Sequence, residues 1–207
     1  MPQVTVEAVE EVGMRTVALE LDTPDGFDAE PGQFLLVRAT VDGVEETGYY
    51  TLSSPDTEGT MEITVEYVPE GTLAPWLAER TVGDTLEIEG PFGDVQYTGD
   101  GDAVVVAEGP GIGPAVGIAE RARHAGHDAT VVFWGESPPH RDRLDALEAD
   151  GATVLLVESL DEAADTLADA DDATVYVFGF ESFVRDAKTV ADAVGVADVQ
   201  AESFGPR

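Results

Sequence analysis

The 207-residue chain contains no cysteine. Disulfides, thiolate metal sites, cysteine-ligated iron–sulfur clusters and cysteine nucleophiles are therefore excluded. Basic residues are nearly as scarce: 10 Lys plus Arg stand against 43 Asp plus Glu, the formal net charge is −33, and Lys188 is the only lysine. A nucleic-acid backbone needs a basic footprint, so nucleic acid is not an expected partner. Long apolar runs are missing too. No stretch approaches the ~20 residues of a membrane span, and Met1-Pro2-Gln3-Val4 lacks the basic-then-hydrophobic order of a leader. The expectation is a cytoplasmic protein without a membrane span.

An acidic chain can be disordered, but here hydrophobic periodicity runs from end to end, so the acids are read as the coat of a folded surface. At ~0.1 M salt the Debye length is about 10 Å and such a coat repels itself; at ~1 M it falls to about 3 Å. A high-salt cytoplasm is the expected setting.

The chain has two rhythms. From Gln3 to about Tyr97 the pattern is short, alternating and rich in Val, Thr, Ile and Tyr, with turns at Thr-Pro-Asp-Gly, Val-Asp-Gly and Thr-Glu-Gly. Strands are expected at Val4 to Val9, Met14 to Leu21, Gln33 to Thr40, Tyr49 to Ser53, Met61 to Tyr67 and Thr85 to Glu89. Six strands at this spacing predict a small antiparallel β-barrel. One helix is expected to interrupt it, with Thr72 capping Leu73 to Glu79 and Pro75 in the first turn. Beyond Thr98 buried strands alternate with helix-length segments, at Ala103 to Ala107, Val131 to Trp134, Thr153 to Val157 and Thr174 to Phe178. That alternation predicts a five-stranded parallel α/β domain. The polar hinge Thr98-Gly99-Asp100-Gly101-Asp102 puts the boundary between residues 1–98 and 99–207.

Four segments can carry chemistry. Glu108-Gly109-Pro110-Gly111-Ile112-Gly113-Pro114 follows a buried strand and opens an Ala-rich helix, where free amide hydrogens and the helix dipole attract a pyrophosphate. It departs from G-x-G-x-x-G at Pro114, and a glycine turn after a strand is as often just a tight connection. Glu136, at the end of the next strand, can accept hydrogen bonds from a ribose 2′-hydroxyl, which tilts the reading toward NADH; Arg141 and Arg143 nearby can reverse it toward NADPH. A solvated acid is the plain alternative. Gly48-Tyr49-Tyr50-Thr51-Leu52-Ser53-Ser54-Pro55 joins aromatic faces to hydroxyls, which suits a planar ring with a polar edge, or ordinary barrel packing. Gly71 and Thr72 precede the lone helix, whose N-terminus can hold a second phosphate pair.

The remaining candidates read as structural. His124 and His127 have no third and fourth ligand nearby, so no metal site is expected. Ser182 lacks the nucleophile-elbow pattern and decorates a helix start. The acidic run Asp169 to Asp172 is a solvated loop.

Taken in order, Pro31-Gly32-Gln33-Phe34, Tyr50-Thr51-Leu52-Ser53-Ser54-Pro55, Gly71-Thr72 with Trp76-Leu77, Val82-Gly83-Asp84, Gly90-Pro91-Phe92-Gly93, Gly109 to Pro114, Val175 to Gly179 and Glu202-Ser203-Phe204-Gly205 resemble the ferredoxin-NADP reductase family. The resemblance implies FAD, or FMN, as cofactor and NADH or NADPH as substrate. It implies that Tyr50 and Thr51 lie along the flavin, with Ser53 in the same strand end, and that Gly71 and Thr72 receive the FAD pyrophosphate. Gly109, Gly111, Ile112 and Pro114 would form the nicotinamide-nucleotide loop, with Glu136 at the ribose. Glu202 and Phe204 would stand close to the flavin, and Phe178 would face the nicotinamide where the family carries cysteine. Thr51, Phe178 and Glu202 are thus the expected catalytic positions.

Two other departures are visible: Gly48 replaces the usual arginine, for which Arg80 can stand in, and Ala74 replaces a phosphate-touching hydroxyl. The expected activity is hydride transfer between nicotinamide and flavin, with electrons passed to a separate partner such as a ferredoxin or an oxygenase component. The absence of a cysteine-rich tail disfavours the dihydroorotate dehydrogenase electron-transfer branch. Gly48, Ala74 and Phe178 motivate the alternative, a catalytically degenerate member acting as a binding or assembly subunit.

Overall fold

The computed structural model describes residues 2–170 and 172–205. Within the acidic run, Asp171 lies outside the described residues, as do Met1 and the terminal Pro206 and Arg207.

The first sheet is antiparallel and six-stranded: β1 (Gln3–Gly13), β2 (Thr16–Asp22), β3 (Phe34–Val41), β4 (Val44–Thr51), β5 (Thr60–Glu66) and β6 (Thr85–Phe92), in the order β4-β3-β6-β1-β2-β5. Alternation in sequence becomes alternation in burial. In β6, Leu86 and Ile88 face the core while Glu87 and Glu89 face solvent, and Val4, Val6, Leu19, Leu35 and Ile63 meet them inside. The outer strands approach each other where Leu52 bridges Ile63 and the Ser53 amide donates to the Glu62 carbonyl at 2.8 Å.

Two strands differ most from expectation. β1 runs on to Gly13 through register shifts, and β4 starts at Val44, ahead of Tyr49. Val44, Glu45 and Thr47 are exposed, so the first half of β4 leaves no hydrophobic signature. Helix α1 (Leu73–Ala78) is one residue shorter than expected. Thr72 does not cap it through its side chain; its backbone is already in the αR region, and its carbonyl accepts from the Trp76 amide at 3.3 Å.

The second sheet is parallel: β7 (Ala103–Ala107), β8 (Ala129–Trp134), β9 (Thr153–Val157), β10 (Thr174–Gly179) and β11 (Val199–Ser203), in the order β11-β10-β7-β8-β9. Helices α2 (Ile112–His124), α3 (Arg141–Ala149), α4 (Ala164–Ala168) and α5 (Glu181–Ala193) link the strands. Every residue of β7 is buried, as a central parallel strand covered on both faces requires. The fifth strand, β11, is Val-Gln-Ala-Glu-Ser at the sheet edge, too polar to stand out in sequence. It sets Glu202 beside Phe178 in register. Before the link to this sheet, Tyr97 is buried and its hydroxyl donates to the Gly101 carbonyl at 2.7 Å.

Candidate functional site

A cavity of about 570 Å³ opens between the two sheets. Phe34, Tyr49, Thr51 and Phe92 form one wall, and Glu202 with Phe204 forms the other. A smaller cavity of about 210 Å³ continues it, sharing Tyr49, Thr51 and Phe204 and adding Tyr50, Pro110 and Phe180. Rings are arranged on both sides. Phe34 meets Tyr49 edge-on with centroids 5.5 Å apart and Phe92 at 6.0 Å, while Phe180 meets Phe204 edge-on at 6.3 Å. Tyr49 is 68% exposed, so its ring surface is open to a ligand. An aromatic wall of this size with one buried hydroxyl, Thr51, fits a planar heterocycle.

Titratable groups line the same cleft. Burial, helped by the nearby Asp94 charge, raises the Glu202 carboxyl above the ordinary value, so it holds a proton more readily than a surface acid. Burial also pushes the Tyr50 phenol well above its usual range and keeps it neutral. The Tyr50 ring leans over Gly48. A Cβ built at position 48 would stand 3.0 Å from both Tyr50 Cε2 and Leu73 Cδ2.

Several sequence-derived sites lie elsewhere. Phe178 does not face the cleft: it is fully buried, packed with Ile112 and Ala115 under α2 on the face it shares with Tyr176. Ser53 is fully buried at the junction of the two sheets, where its Oγ donates to Glu62 Oε1 at 2.8 Å. Ile112 and Pro114 are buried within the start of α2. Gly111 is a packing glycine, since a Cβ there would come 2.3 Å from the Phe178 carbonyl oxygen. Only Gly109 (φ +51°) and Pro110 keep partial exposure, and Pro110 reaches the cleft. Gly71, Thr72 and Glu136 are exposed and line neither cavity.

All three candidate cations are engaged. Arg80 stacks 3.8 Å over the Trp76 ring and bonds the Trp76 carbonyl and Asp84, so it does not stand in at position 48. Arg143 binds Glu62, Glu120 and the Ser53 carbonyl, so it is withdrawn from any ribose phosphate. Arg141 pairs with Asp145 on the surface. Among the described residues no group of three or more His, Cys, Asp or Glu is placed to hold a metal ion.

Phe180 was not anticipated as a cleft residue, because in sequence it reads as one more helix-start aromatic. His140 was missed as well. It is buried in the left-handed region (φ +56°), shares a 2.7 Å hydrogen bond with Thr64, and burial lowers its pKa to about 3.

Residues 3–97 match the family described as oxidoreductase FAD-binding domain. The fold over the whole chain is that of a ferredoxin NADP+ reductase from Neisseria gonorrhoeae with bound FAD and NADP, at a TM-score of 0.81, 16% identity and 98% coverage of both chains. Residues 3–97 thus match an FAD-binding domain, and the chain as a whole has the fold of the ferredoxin-NADP reductase-like flavoproteins. The FAD/NAD-binding domain of a Vibrio cholerae nitric oxide dioxygenase is another structural neighbour, at a TM-score of 0.83, 20% identity and coverage of 99% of this chain and 98% of that one.

Among curated proteins, a probable dihydroorotate dehydrogenase B (NAD(+)) electron transfer subunit of Methanopyrus kandleri is 36% identical over 144 residues, 70% of this chain and 51% of the relative. The reductase subunit of a glycine betaine monooxygenase from Chromohalobacter salexigens is 33% identical over 110 residues, 51% of this chain and 30% of the relative. The matches thus span about half, or less, of these curated relatives. A dihydroorotate dehydrogenase electron transfer subunit, from the branch not expected from the sequence, is thus among the relatives beside an oxygenase reductase subunit.

Proposed function

We infer that this flavoprotein is an NAD(P)H-dependent reductase of two domains, residues 1–98 holding the flavin in a closed barrel and residues 99–207 holding the nicotinamide nucleotide. The observation that carries the reading is the cleft in which the Thr51 hydroxyl and the Phe34–Tyr49–Phe92 wall of one sheet face Glu202 and Phe204 of the other. These walls would hold a flavin, which would supply hydride acceptance from a reduced nicotinamide and one-electron release.

The chain's own contribution is binding and placement. Thr51, almost buried, offers one fixed hydroxyl to the polar edge of the ring, and Tyr50 beside it presents a neutral face. Glu202 can keep a proton at the opposite wall. Phe180, Phe204 and Phe92 exclude water from the site. Gly109 and Pro110 are the part of the glycine turn available to a nucleotide pyrophosphate, and Gly71 with Thr72 are open to the pyrophosphate of FAD. Glu136 is open to a ribose hydroxyl and, with Arg143 engaged, favours NADH over NADPH.

Electrons would leave to a separate protein, such as a ferredoxin or an oxygenase component. The net charge of −33 and the single lysine support a high-salt cytoplasm as the setting. A melting temperature that rises steeply between dilute and molar KCl is expected, and one indifferent to salt refutes that setting.

A second reading has specific support. Arg80, the expected stand-in, is held at Trp76 and Asp84, and Tyr50 overhangs Gly48, so a non-enzymatic assembly subunit with the same fold is the rival. Purified protein separates the two. A flavin absorbance spectrum bleached anaerobically by NADH supports the reductase; protein that takes up neither FAD nor FMN in molar KCl supports the rival.

A further inference from the structure

The face that α2 turns toward the first sheet has almost no side chains. Gly113 and Gly117 lie against the other lobe so closely that a Cβ on Gly113 would come 2.8 Å from Thr64 Oγ1, and one on Gly117 would come 2.9 Å from the Ser54 carbonyl oxygen. The next residue of that stripe, a turn further on, is Glu120. There the contact changes from bare backbone to a charged cluster. Arg143 of α3 grips Glu120 with two hydrogen bonds, Nε to Oε1 at 2.8 Å and Nη2 to Oε2 at 2.7 Å. The same guanidinium crosses to the first lobe, donating from Nη1 to Glu62 Oε1 at 2.7 Å and from Nη2 to the Ser53 carbonyl at 2.6 Å.

Ser53 is thereby fixed at every polar atom. Its amide donates to the Glu62 carbonyl at 2.8 Å, its hydroxyl donates to Glu62 Oε1 at 2.8 Å, and its carbonyl accepts from Arg143. Two residues earlier on the same strand end stands Thr51, in the cleft wall. Glu202 and Phe204, the opposite wall, belong to the lobe that carries Arg143. One planar cation therefore ties the segment bearing one wall to the body bearing the other. Glycine-to-backbone contact contributes little apolar burial and tolerates sliding, whereas a bidentate guanidinium is satisfied in one orientation only. A partly buried ion cluster adds little net stability after desolvation, and its strongest use is to specify a single arrangement.

We propose that Arg143 is a positioning residue, an interlobe latch that sets the separation between Thr51 and the Glu202–Phe204 wall through Ser53, Glu62 and Glu120. Its effect on electron transfer rests on the reductase reading above; its effect on lobe geometry does not.

The test has two arms. In the flavin-free protein, Glu87→Cys and Asp186→Cys, both exposed and on different lobes, carry spin labels at sites made unique by the lack of native cysteine. A narrow interlobe distance distribution is expected with Arg143 present, and a broadened one in Arg143→Met, where Glu62 and Glu120 face each other without their cation. Arg143→Lys keeps the charge but loses the fork; it broadens the distribution less and carries the test should Arg143→Met fail to fold.

In FAD-loaded protein, Arg143→Lys is expected to slow flavin reduction at saturating NADH about tenfold through sub-ångström misplacement, with KM and flavin content unchanged and the nicotinamide–flavin charge-transfer band weakened. Distributions as narrow as the native one in both variants overturn the latch. So does a rate loss that appears only in KM or in flavin content. Protein that takes up no flavin ends the reductase reading and leaves the distance arm to decide the latch.

Discussion

The cleft and the junction are built from neighbouring stretches of the same two lobes, and they solve opposite problems. In the cleft, Tyr49 and Phe92 present large rings to open space, Glu202 is half-buried, and the walls leave room for a guest. At the junction, a few residues away, Gly113 and Gly117 bring the α2 backbone against the first lobe, and the polar side chains of the Arg143 cluster are saturated by pairing. Openness in one place depends on closure in the other. A site that must hold a ring between two bodies needs those bodies fixed by contacts that do not themselves enter the site.

The largest effect is expected from adding volume inside the second lobe, just behind the junction. Gly111→Val puts a side chain against the Phe178 carbonyl, 2.3 Å from where its Cβ would lie, and the β10 backbone cannot yield cheaply. A loss of about 4 kcal/mol or more in urea unfolding is expected, whereas Tyr49→Ser in the open wall should leave unfolding nearly unchanged and weaken flavin uptake. Equal stability of Gly111→Val and the native chain would remove Gly111 from the packing account.

Next in size is Phe178→Ala. Emptying a fully buried position should cost about 3–5 kcal/mol with no gain in the rate of flavin reduction. A faster enzyme would put Phe178 back at the nicotinamide.

His140 gives a pH test of the junction. Its folded pKa is lowered to about 3, so the native state binds fewer protons than the unfolded chain between there and the ordinary value of 6.5. Its stabilising contribution is full above pH 6.5 and is lost as pH falls toward 3, about 2 kcal/mol of it by pH 5. Unfolding free energies of His140→Gln and native protein, measured from pH 7 to 5, should converge on acidification. Parallel curves would refute the assignment.

The smallest effect belongs to the cleft's missing cation. Gly48→Arg should tighten FAD by about 1 kcal/mol, because the new side chain must first displace the Tyr50 ring and so gives back part of its gain. FMN affinity should not change, and a gain for FMN equal to that for FAD would show that the arginine does not act on a pyrophosphate.

Much of this was legible in advance. The alternation of Thr85 to Glu89 and the all-apolar Ala103 to Ala107 announced an antiparallel sheet followed by a parallel one, because period-two burial and two-sided burial leave different marks on a strand. Two of the edge strands were not fully legible, because the start of β4 and all of β11 are polar, whereas the edge strands β5 and β9 carry enough apolar residues to be read. Thr51, Glu202 and Phe204 were named from motif order, and all three line the cleft. Ser53, Phe178, Ile112 and Pro114 came from the same motifs and line neither cavity. Motif membership says which segment approaches a ligand, while the direction of each side chain depends on local pleat and helix phase.

By itself the sequence determined the class of each half, the absence of thiol chemistry, the acidic surface and the segments that converge between the sheets. These follow from composition and periodicity, which are local properties of the chain. Only the tertiary structure decided how the glycines and arginines are used. A glycine in a turn suits a phosphate or a passing backbone equally well, and an arginine suits a ribose phosphate or a pair of glutamates. The choice is made by what lies opposite in space, and here Phe178, Thr64, Ser54, Glu62 and Glu120 come from stretches far along the chain.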